Sequence, residues 1–146
     1  MKRVAMLFAS LMMLSAVMGS AFAQEAKPYR EGPVRQVSFI KVKPGQFHNY
    51  MKYLDGPYKA AMEASIKAGL ITGYSVYQAQ PRTPQDADLI LAVTYPNMAA
   101  LDRTDEADAI RAKVMGSLQA QDKAAMDRES MRELLGSQLI RELILK

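Results

Sequence analysis

The sequence predicts an α+β domain built on a four-stranded antiparallel sheet, and three observations lead to that prediction. The N-terminal segment has the features of a secretory signal, so the fold must come from the rest of the chain. Four later segments carry the β-branched and aromatic residues that are typical of strands. Between them lie two longer segments with apolar residues at helical spacing, and the order is strand–helix–strand–strand–helix–strand.

The N-terminal segment has the three parts of a secretory signal. Met1-Lys2-Arg3 is basic, Val4 to Val17 is an uncharged apolar run, and Ala21-Phe22-Ala23 places small residues before Gln24. A retained membrane anchor is the alternative, but the apolar run is shorter than the roughly 20 residues that a spanning helix needs. The chain has no cysteine, which excludes a lipid anchor on a cysteine at the cleavage point. We therefore expect a signal peptide over residues 1–23, a periplasmic or secreted protein, and no membrane attachment after cleavage.

The remaining residues, 24–146, are enough for one domain with its own core. Removal of Lys2 and Arg3 lowers the net charge from +4 to +2, so the working protein is close to neutral. No run of basic residues with interleaved aromatics occurs, and nucleic acid is not expected as a partner. Residues 24–33 are polar and contain two prolines, which predicts a flexible leader before a domain over 34–146.

The first half of the domain predicts a strand followed by a broken helix. Val34 to Val42 has the composition of a strand and ends at Pro44-Gly45. Apolar residues recur at helical spacing from Gln46 onward. Asp55-Gly56-Pro57 should break this helix, since the aspartate can cap a second segment and proline is tolerated in its first turn. Gly69 then predicts the end of the helix.

The second half predicts two strands, a divided helix and a last strand. Gly116-Ser117 should divide the helical segment, and Gly136 should end it. The predicted elements are strand two over Ile71–Gln80, strand three over Asp88–Tyr95, the helical segment over Asp105–Leu135 and the last strand over Gln138–Leu145. This order is that of the split βαβ, ferredoxin-like arrangement, with helices on one side of the sheet.

Apolar residues on both faces of the strands predict a homodimer. The first strand has Val37 and Phe39 on one face and Ile40 and Val42 on the other. Helices can cover one face, and a large apolar patch left exposed would favour association. We therefore expect two copies to meet sheet against sheet about a two-fold axis. The alternative is that the leader or the divided helices cover this face instead.

Three stretches carry a resemblance to a known group of proteins. They are VRQVSFIKVKPGQFHNYMKYL, AGLITGYSVYQ and ADLILAVTYPNMAALD, and together they resemble the dimeric α/β-barrel superfamily. That superfamily includes stress-responsive barrel domains, NIPSNAP-type proteins and antibiotic-biosynthesis monooxygenase-like domains, and the chain is similar to small secreted bacterial proteins within it. The resemblance covers about residues 34–145. It implies a ferredoxin-like fold and a homodimer, but its motifs are structural, so it implies no particular reaction.

Tyrosines and one arginine are the candidate ligand-binding residues. Tyr50 and Tyr53 lie on the first predicted helix, Tyr74 lies on strand two, and Arg141 lies in the middle of the last strand. A cleft between the first helix and the sheet, lined by these side chains, would suit a small apolar or aromatic ligand with an acidic or carbonyl group. In the alternative interpretation the tyrosines are core and interface residues and Arg141 pairs with a neighbouring acid.

His48 is the only histidine in the chain. It falls on the polar side of the first helix, which favours a solvated surface position, although a general base at the cleft edge or an axial haem ligand is the functional alternative. The resemblance includes haem-degrading proteins that use an Asn, Trp and His set, but this chain has no tryptophan. With one histidine and no cysteine, we expect no metal site and no cofactor.

Two classes of function follow. The first is an exported small-molecule-binding protein, for which the stress-responsive relatives imply a link to stress. The second is a cofactor-independent enzyme of the monooxygenase or isomerase kind that uses the Tyr- and Arg-lined cleft. The sequence favours binding because it has no recognisable acid–base pair.

Overall fold

The computed structural model describes residues 26–146, so the predicted signal peptide and its cleavage site before Gln24 lie outside the described residues. Four strands form one sheet in the order β2-β3-β1-β4, and every neighbouring pair is antiparallel. The strands are β1 (Tyr29–Val42), β2 (Gly73–Gln78), β3 (Leu89–Tyr95) and β4 (Arg132–Leu145). The predicted α+β class and the ferredoxin-like arrangement are confirmed.

The helices are divided where the sequence predicted. They are α1 (Phe47–Tyr53), a π-helical turn (Leu54–Tyr58), α2 (Lys59–Lys67), a 3₁₀ helix (Met98–Asp102), α3 (Thr104–Met115) and α4 (Leu118–Met131). The break between α1 and α2 is at Gly56, whose φ of −99° and ψ of −105° are not helical. Gly116 ends α3 at a φ of 85°, and the Ser117 hydroxyl then accepts the Ala120 N–H at the start of α4.

Gly69 ends α2 in the way that its position predicted. Its φ is +68°, a conformation that residues with a Cβ rarely adopt. The Leu70 N–H donates to the Ser65 carbonyl at 3.0 Å and the Gly69 N–H donates to the Ile66 carbonyl at 2.9 Å. These two bonds satisfy carbonyls that the helix end would otherwise leave unpaired. Leu70 is buried, so this turn also attaches the end of α2 to the core.

The two faces of the sheet have different surroundings. On the helix-facing side, Ile40 and Leu89 are directly opposite each other and are almost fully buried against Tyr50 and Leu54. On the outer side, Phe39 is directly opposite Ile90 and is only partly buried. The other members of this apolar outer face are Val37, Tyr77, Ala92 and Ile140. The expectation that both faces are apolar is therefore confirmed.

The last strand begins earlier than predicted. We expected a helix as far as Leu135 and a stop at Gly136, but α4 ends at Met131 and β4 already begins at Arg132. The segment from Arg132 to Leu134 pairs with the end of β1, and the register shifts just before Gly136. Helix-forming residues adopt a strand here because the edge of β1 needs a hydrogen-bonding partner, and such tertiary pairing overrides local preference. Gly136 therefore lies at a β-bulge instead of a helix end.

Part of the predicted flexible leader over residues 24–33 is a strand in the structure. Strand β1 begins at Tyr29, and Tyr29 and Glu31 pair with Leu145 and Leu143 of β4. Strand β3 reaches only as far as the partner of Val34, so β1 and β4 extend beyond it as a two-stranded arm. The polar composition of this segment fits an edge position, because both faces of a two-stranded arm are open to solvent.

Candidate ligand-binding cavity

A cavity of about 530 Å³ lies between the helices and the helix-facing side of the sheet. Its floor is formed by β1 and β3, and its walls by the π-helical turn, α2, the 3₁₀ helix and α3. Neither α3 nor α4 has a fully buried residue. Because these helices do not pack closely against the sheet, space remains between the sheet and the helices. Its size lies within the range that is usual for small-molecule sites.

Tyr53 and Arg128 form the central polar contact of the cavity. The Arg128 guanidinium donates to the Tyr53 hydroxyl at 2.9 Å and its carbon lies 5.8 Å from the centre of the Tyr53 ring. This contact joins the end of α1 to the last turn of α4. On the floor, the Tyr95 hydroxyl donates to the Gln36 side-chain oxygen at 3.3 Å. These groups give a mostly apolar cavity a few polar positions, which is the usual composition of a ligand site.

Two buried polar atoms of the cavity-lining residues have no hydrogen-bond partner within residues 26–146. They are the Tyr58 hydroxyl and the Nε of Arg128. Burial raises the pKa of Tyr58 to about 12, so its phenol stays protonated and can donate a hydrogen bond at neutral pH. Buried polar groups are normally paired, so these two atoms lack a hydrogen-bond partner beside the cavity.

The charged residues that line the cavity are all arginines. Arg103, Arg111 and Arg128 line it, and no aspartate or glutamate does. Arg103 is bound to Glu106 at 2.6 Å, and Arg111 is bound to Asp108 at 2.6 Å. Arg128 has no carboxylate partner in the part of the chain that the structure describes. The guanidinium of Arg128 is therefore the uncompensated charge at the cavity.

The predicted tyrosines occupy three different positions. Tyr53 lines the cavity. Tyr50 is fully buried and stacks on Tyr53 with ring centres 5.9 Å apart, and burial raises its pKa. Tyr74 is outside the lining: its ring meets the edge of Tyr58 at 5.9 Å, and its hydroxyl donates to Glu63 at 2.9 Å. Of the three predicted tyrosines, only Tyr53 lines the cavity. Tyr50 contacts Tyr53, and Tyr74 contacts the lining residue Tyr58.

Arg141 and His48 lie away from the cavity. Arg141 is on β4 beside the two-stranded arm and donates to Glu31 at 2.6 Å. It is therefore paired with an acid, as the alternative interpretation of the sequence expected, and it does not line the cavity. His48 is exposed on α1. Neither residue is within the group that surrounds Tyr53.

Arg128 and Tyr58, the lining residues with unpartnered buried polar atoms, were not among the candidates predicted from the sequence. Helix α4 has a single half-buried stripe at helical spacing, formed by Gln121, Ala124, Ala125, Arg128 and Met131. An arginine between alanine and methionine on such a stripe is a signal that could have placed Arg128 on the inward side. Tyr58 follows the predicted helix break directly, and π-helical turns are common at functional sites.

Within residues 26–146, no three His, Cys, Asp or Glu side chains lie close enough together to hold a metal ion. None of the helices described there is both long enough and apolar enough to cross a bilayer.

Comparisons with known proteins bear on the fold alone. No protein-family model matches the sequence, and no curated protein matches it significantly.

Three solved structures are similar in backbone. HapK from Hahella chejuensis is 12% identical, with 75% of this chain and 91% of HapK covered and a TM-score of 0.49. Two dimeric ferredoxin-like proteins from an uncultured marine organism are each 8% identical. The first covers 80% of this chain and 90% of its own at a TM-score of 0.49, and the second covers 80% and 98% at 0.50. The strand order β2-β3-β1-β4 and the likeness to the structure with the TM-score of 0.50 show that this chain has a ferredoxin-like fold.

Proposed function

We propose that this protein binds a small molecule in the cavity between its helices and its sheet. The observation that carries the proposal is the cavity itself, about 530 Å³ in volume, with buried and unpartnered polar atoms on Tyr58 and Arg128. Protein interiors are normally filled, so an empty space of this size lacks packing contacts that a bound molecule would supply. An apolar or aromatic ligand would fill the space, and a hydrogen-bond acceptor on that ligand would be needed to pair with the two polar atoms.

Binding is a better supported proposal than catalysis. The lining contains no histidine, carboxylate, lysine or cysteine, and these are the usual proton carriers and nucleophiles of enzymes. The phenols are left as acid–base groups, and the raised pKa of Tyr58, about 12, makes it a poor base at neutral pH. The alternative, a monooxygenase- or isomerase-like enzyme, would have to rely on the Tyr53–Arg128 pair.

The binding proposal can be tested by filling the cavity. Ala107 on α3 lines it, whereas Ala109 on the same helix is exposed and does not. N-Phenyl-1-naphthylamine, a neutral fluorescent probe, should bind the wild-type protein saturably with one site per protomer. Ala107→Phe should abolish that binding because the added ring occupies the cavity, while Ala109→Phe should leave it unchanged. Equal binding by wild type and Ala107→Phe would show that the probe sits elsewhere and would contradict the proposal.

We also propose that the protein is a homodimer through the outer face of its sheet. Tyr77 and Ile140 on that face are 52% and 48% exposed, beside the partly buried Phe39 and Ile90. A second copy would remove this apolar surface from water. The solved structure with the TM-score of 0.50 is described as dimeric, which supports a homodimer.

Light scattering tests the dimer. The mature protein should have about twice the monomer mass at micromolar concentration, and Ile140→Lys should give monomers because it would bury a charge in the interface. Leu118→Lys is the control, since Leu118 is 76% exposed and lies on α4, away from the sheet. A monomeric wild-type protein would refute the dimer.

The proposed site of action is outside the cytoplasm, in the periplasm or the medium. The support is the basic start, the apolar run and the Ala21-Phe22-Ala23 sequence. Mass spectrometry of the exported protein should find its N-terminus at Gln24 or within a residue of it. Recovery of intact Met1 in a membrane fraction would overturn both the cleavage and the location.

A further inference from the structure

We infer that the cavity takes a ligand with one carboxylate group on an apolar or aromatic body, and that Arg128 is the anchor for the carboxylate. The inference rests on the proposed binding function and specifies the chemical class of the ligand. It assigns the anchoring role to a residue on α4 instead of Arg141, which the structure pairs with Glu31.

The balance of charge at the cavity points to an anion. Of the three arginines that line it, Arg103 and Arg111 are each neutralised by a carboxylate three residues away on the same segment. Arg128 has a hydroxyl as its hydrogen-bond partner within residues 26–146. Charges at buried sites are normally paired, so the site lacks one negative charge. A single carboxylate supplies that charge, whereas a phosphate monoester would bring nearly two.

The geometry of the Arg128 guanidinium fits a carboxylate. Its Nη1 donates to the Tyr53 hydroxyl at 2.9 Å, and its Nε is buried without a partner. Carboxylates bind arginine in a bidentate manner along an edge of two N–H groups. The Nε–Nη2 edge is the one that the Tyr53 contact leaves open. A small rotation that turns this edge toward the cavity would let a carboxylate satisfy it while Tyr53 holds the other side.

A second donor is available for the same group. The Tyr58 hydroxyl is buried and has no hydrogen-bond partner in the described part of the chain. A protonated phenol can donate a hydrogen bond to a carboxylate oxygen, so Tyr58 offers a second donor for the anion that Arg128 would bind. Tyr58 also lies at the end of the π-helical turn, directly after the break at Gly56.

The rest of the lining defines the body of the ligand. Most of it is aliphatic or thioether surface, which comes from Met62, Leu91, Val93, Leu101, Ile110 and Met115. Such a surface suits a flat aromatic or a branched aliphatic body, because methionine adapts to irregular shapes and contacts rings favourably.

A pair of isosteric probes tests the inference. 2-Naphthoate is an anion at pH 7, and 2-naphthamide has nearly the same shape without the charge. Calorimetric titration of the wild-type protein should show that naphthoate binds roughly 10 to 100 times more tightly, the difference expected for hydrogen bonds to a charged partner. Arg128→Gln should weaken naphthoate to the level of the amide and leave the amide unchanged.

Two further variants separate anchoring from a general effect of charge. Arg82→Gln removes an exposed arginine that does not line the cavity, and it should keep the preference for naphthoate. Arg128→Lys should retain part of the preference, because lysine keeps the charge but loses the bidentate geometry. Thermal unfolding of each variant shows whether it is folded.

The outcomes distinguish the ligand class from the binding function. Equal binding of the two probes by the wild-type protein would overturn the carboxylate anchor and leave the binding proposal standing, and this comparison needs no variant to fold. A preference that survives in folded Arg128→Gln would also overturn it. If neither naphthalene probe nor N-phenyl-1-naphthylamine binds, both the anchor and the proposed function are wrong.

Discussion

Replacing Tyr50 by phenylalanine should stabilise the protein. The Tyr50 side chain is fully buried, and its hydroxyl has no hydrogen-bond partner within residues 26–146. The ring itself is well packed: it stacks on Tyr53 at 5.9 Å, and the guanidinium carbon of Arg132 lies 5.9 Å from its centre. Phenylalanine preserves the ring and these contacts, so the substitution removes the unpaired hydroxyl and little else.

The magnitude follows from the cost of an unpaired polar group. A buried hydroxyl without a partner costs about 1–3 kcal/mol of desolvation. Because phenylalanine leaves a small void where the oxygen was, part of that gain is lost. We expect Tyr50→Phe to raise the free energy of unfolding by about 1 kcal/mol, or the midpoint temperature by about 3–5 °C for a domain of this size. Urea unfolding followed by circular dichroism measures the first, and calorimetry the second.

Tyr53→Phe is the matched control, with the opposite sign. The Tyr53 hydroxyl accepts a hydrogen bond from Arg128 at 2.9 Å. Its removal leaves the guanidinium without that partner and should cost about 1–2 kcal/mol. If Tyr50→Phe instead lowers stability by about 1 kcal/mol or more, the Tyr50 hydroxyl must have a partner such as a buried water, and the reasoning from its burial fails.

Three other changes test separate parts of the structure. Burial raises the pKa of Tyr58 from 10.0 to about 12, so its contribution to stability is complete below pH 10 and is lost as the pH rises toward 12. The difference between these two pKa values corresponds to about 2.7 kcal/mol in the free energy of unfolding. Because Tyr58 is only partly buried, we expect the loss of stability to be about half of that value. Urea unfolding of Tyr58→Phe should accordingly be less sensitive to pH between 10 and 12 than that of the wild type, and identical pH profiles would contradict this. Gly69→Ala should lower the free energy of unfolding by about 1 kcal/mol because φ is +68° there, and an unchanged urea midpoint would refute the role of this conformation. Asp88→Ala should cost about 2 kcal/mol in the same assay, since it removes the acceptor of the Val42 N–H at 2.8 Å and of the Lys41 ammonium at 3.2 Å; a loss below 0.5 kcal/mol would mean that water replaces both bonds.

The order of the elements and several of their ends were predictable because local chemistry determines them. Gly69 and Gly116 end helices with positive φ, a conformation that glycine adopts at little cost. The Asp55-Gly56-Pro57 sequence breaks the first helix because proline lacks the N–H that a continuous helix needs. Apolar residues at both odd and even positions of the strand predicted that β1 has two apolar faces. Each of these signals is contained within a few consecutive residues.

The extent of β1 and β4 was not predictable in the same way. The segment from Arg132 to Leu135 has helix-forming residues, and the polar segment around Tyr29 and Glu31 has few features of a strand. Both are strands because each pairs with the other long strand, Arg132 with Val42 and Tyr29 with Leu145. Their conformation therefore depends on a partner at least 90 residues away in the chain. Local sequence does not contain that information.

The candidate site was likewise predictable only in part from the sequence. The sequence by itself determined that a tyrosine-rich first helix, with a break near its middle, packs on the sheet, because apolar spacing and proline act locally. The phase of each strand and the rotation of α4 were decided by the tertiary structure alone. It is the register of β4 against β1 that directs Arg141 to Glu31, and the packing of α4 against α1 that brings Arg128 to Tyr53. A charged side chain finds its partner through space, and residues 75 positions apart become neighbours only after the core has formed.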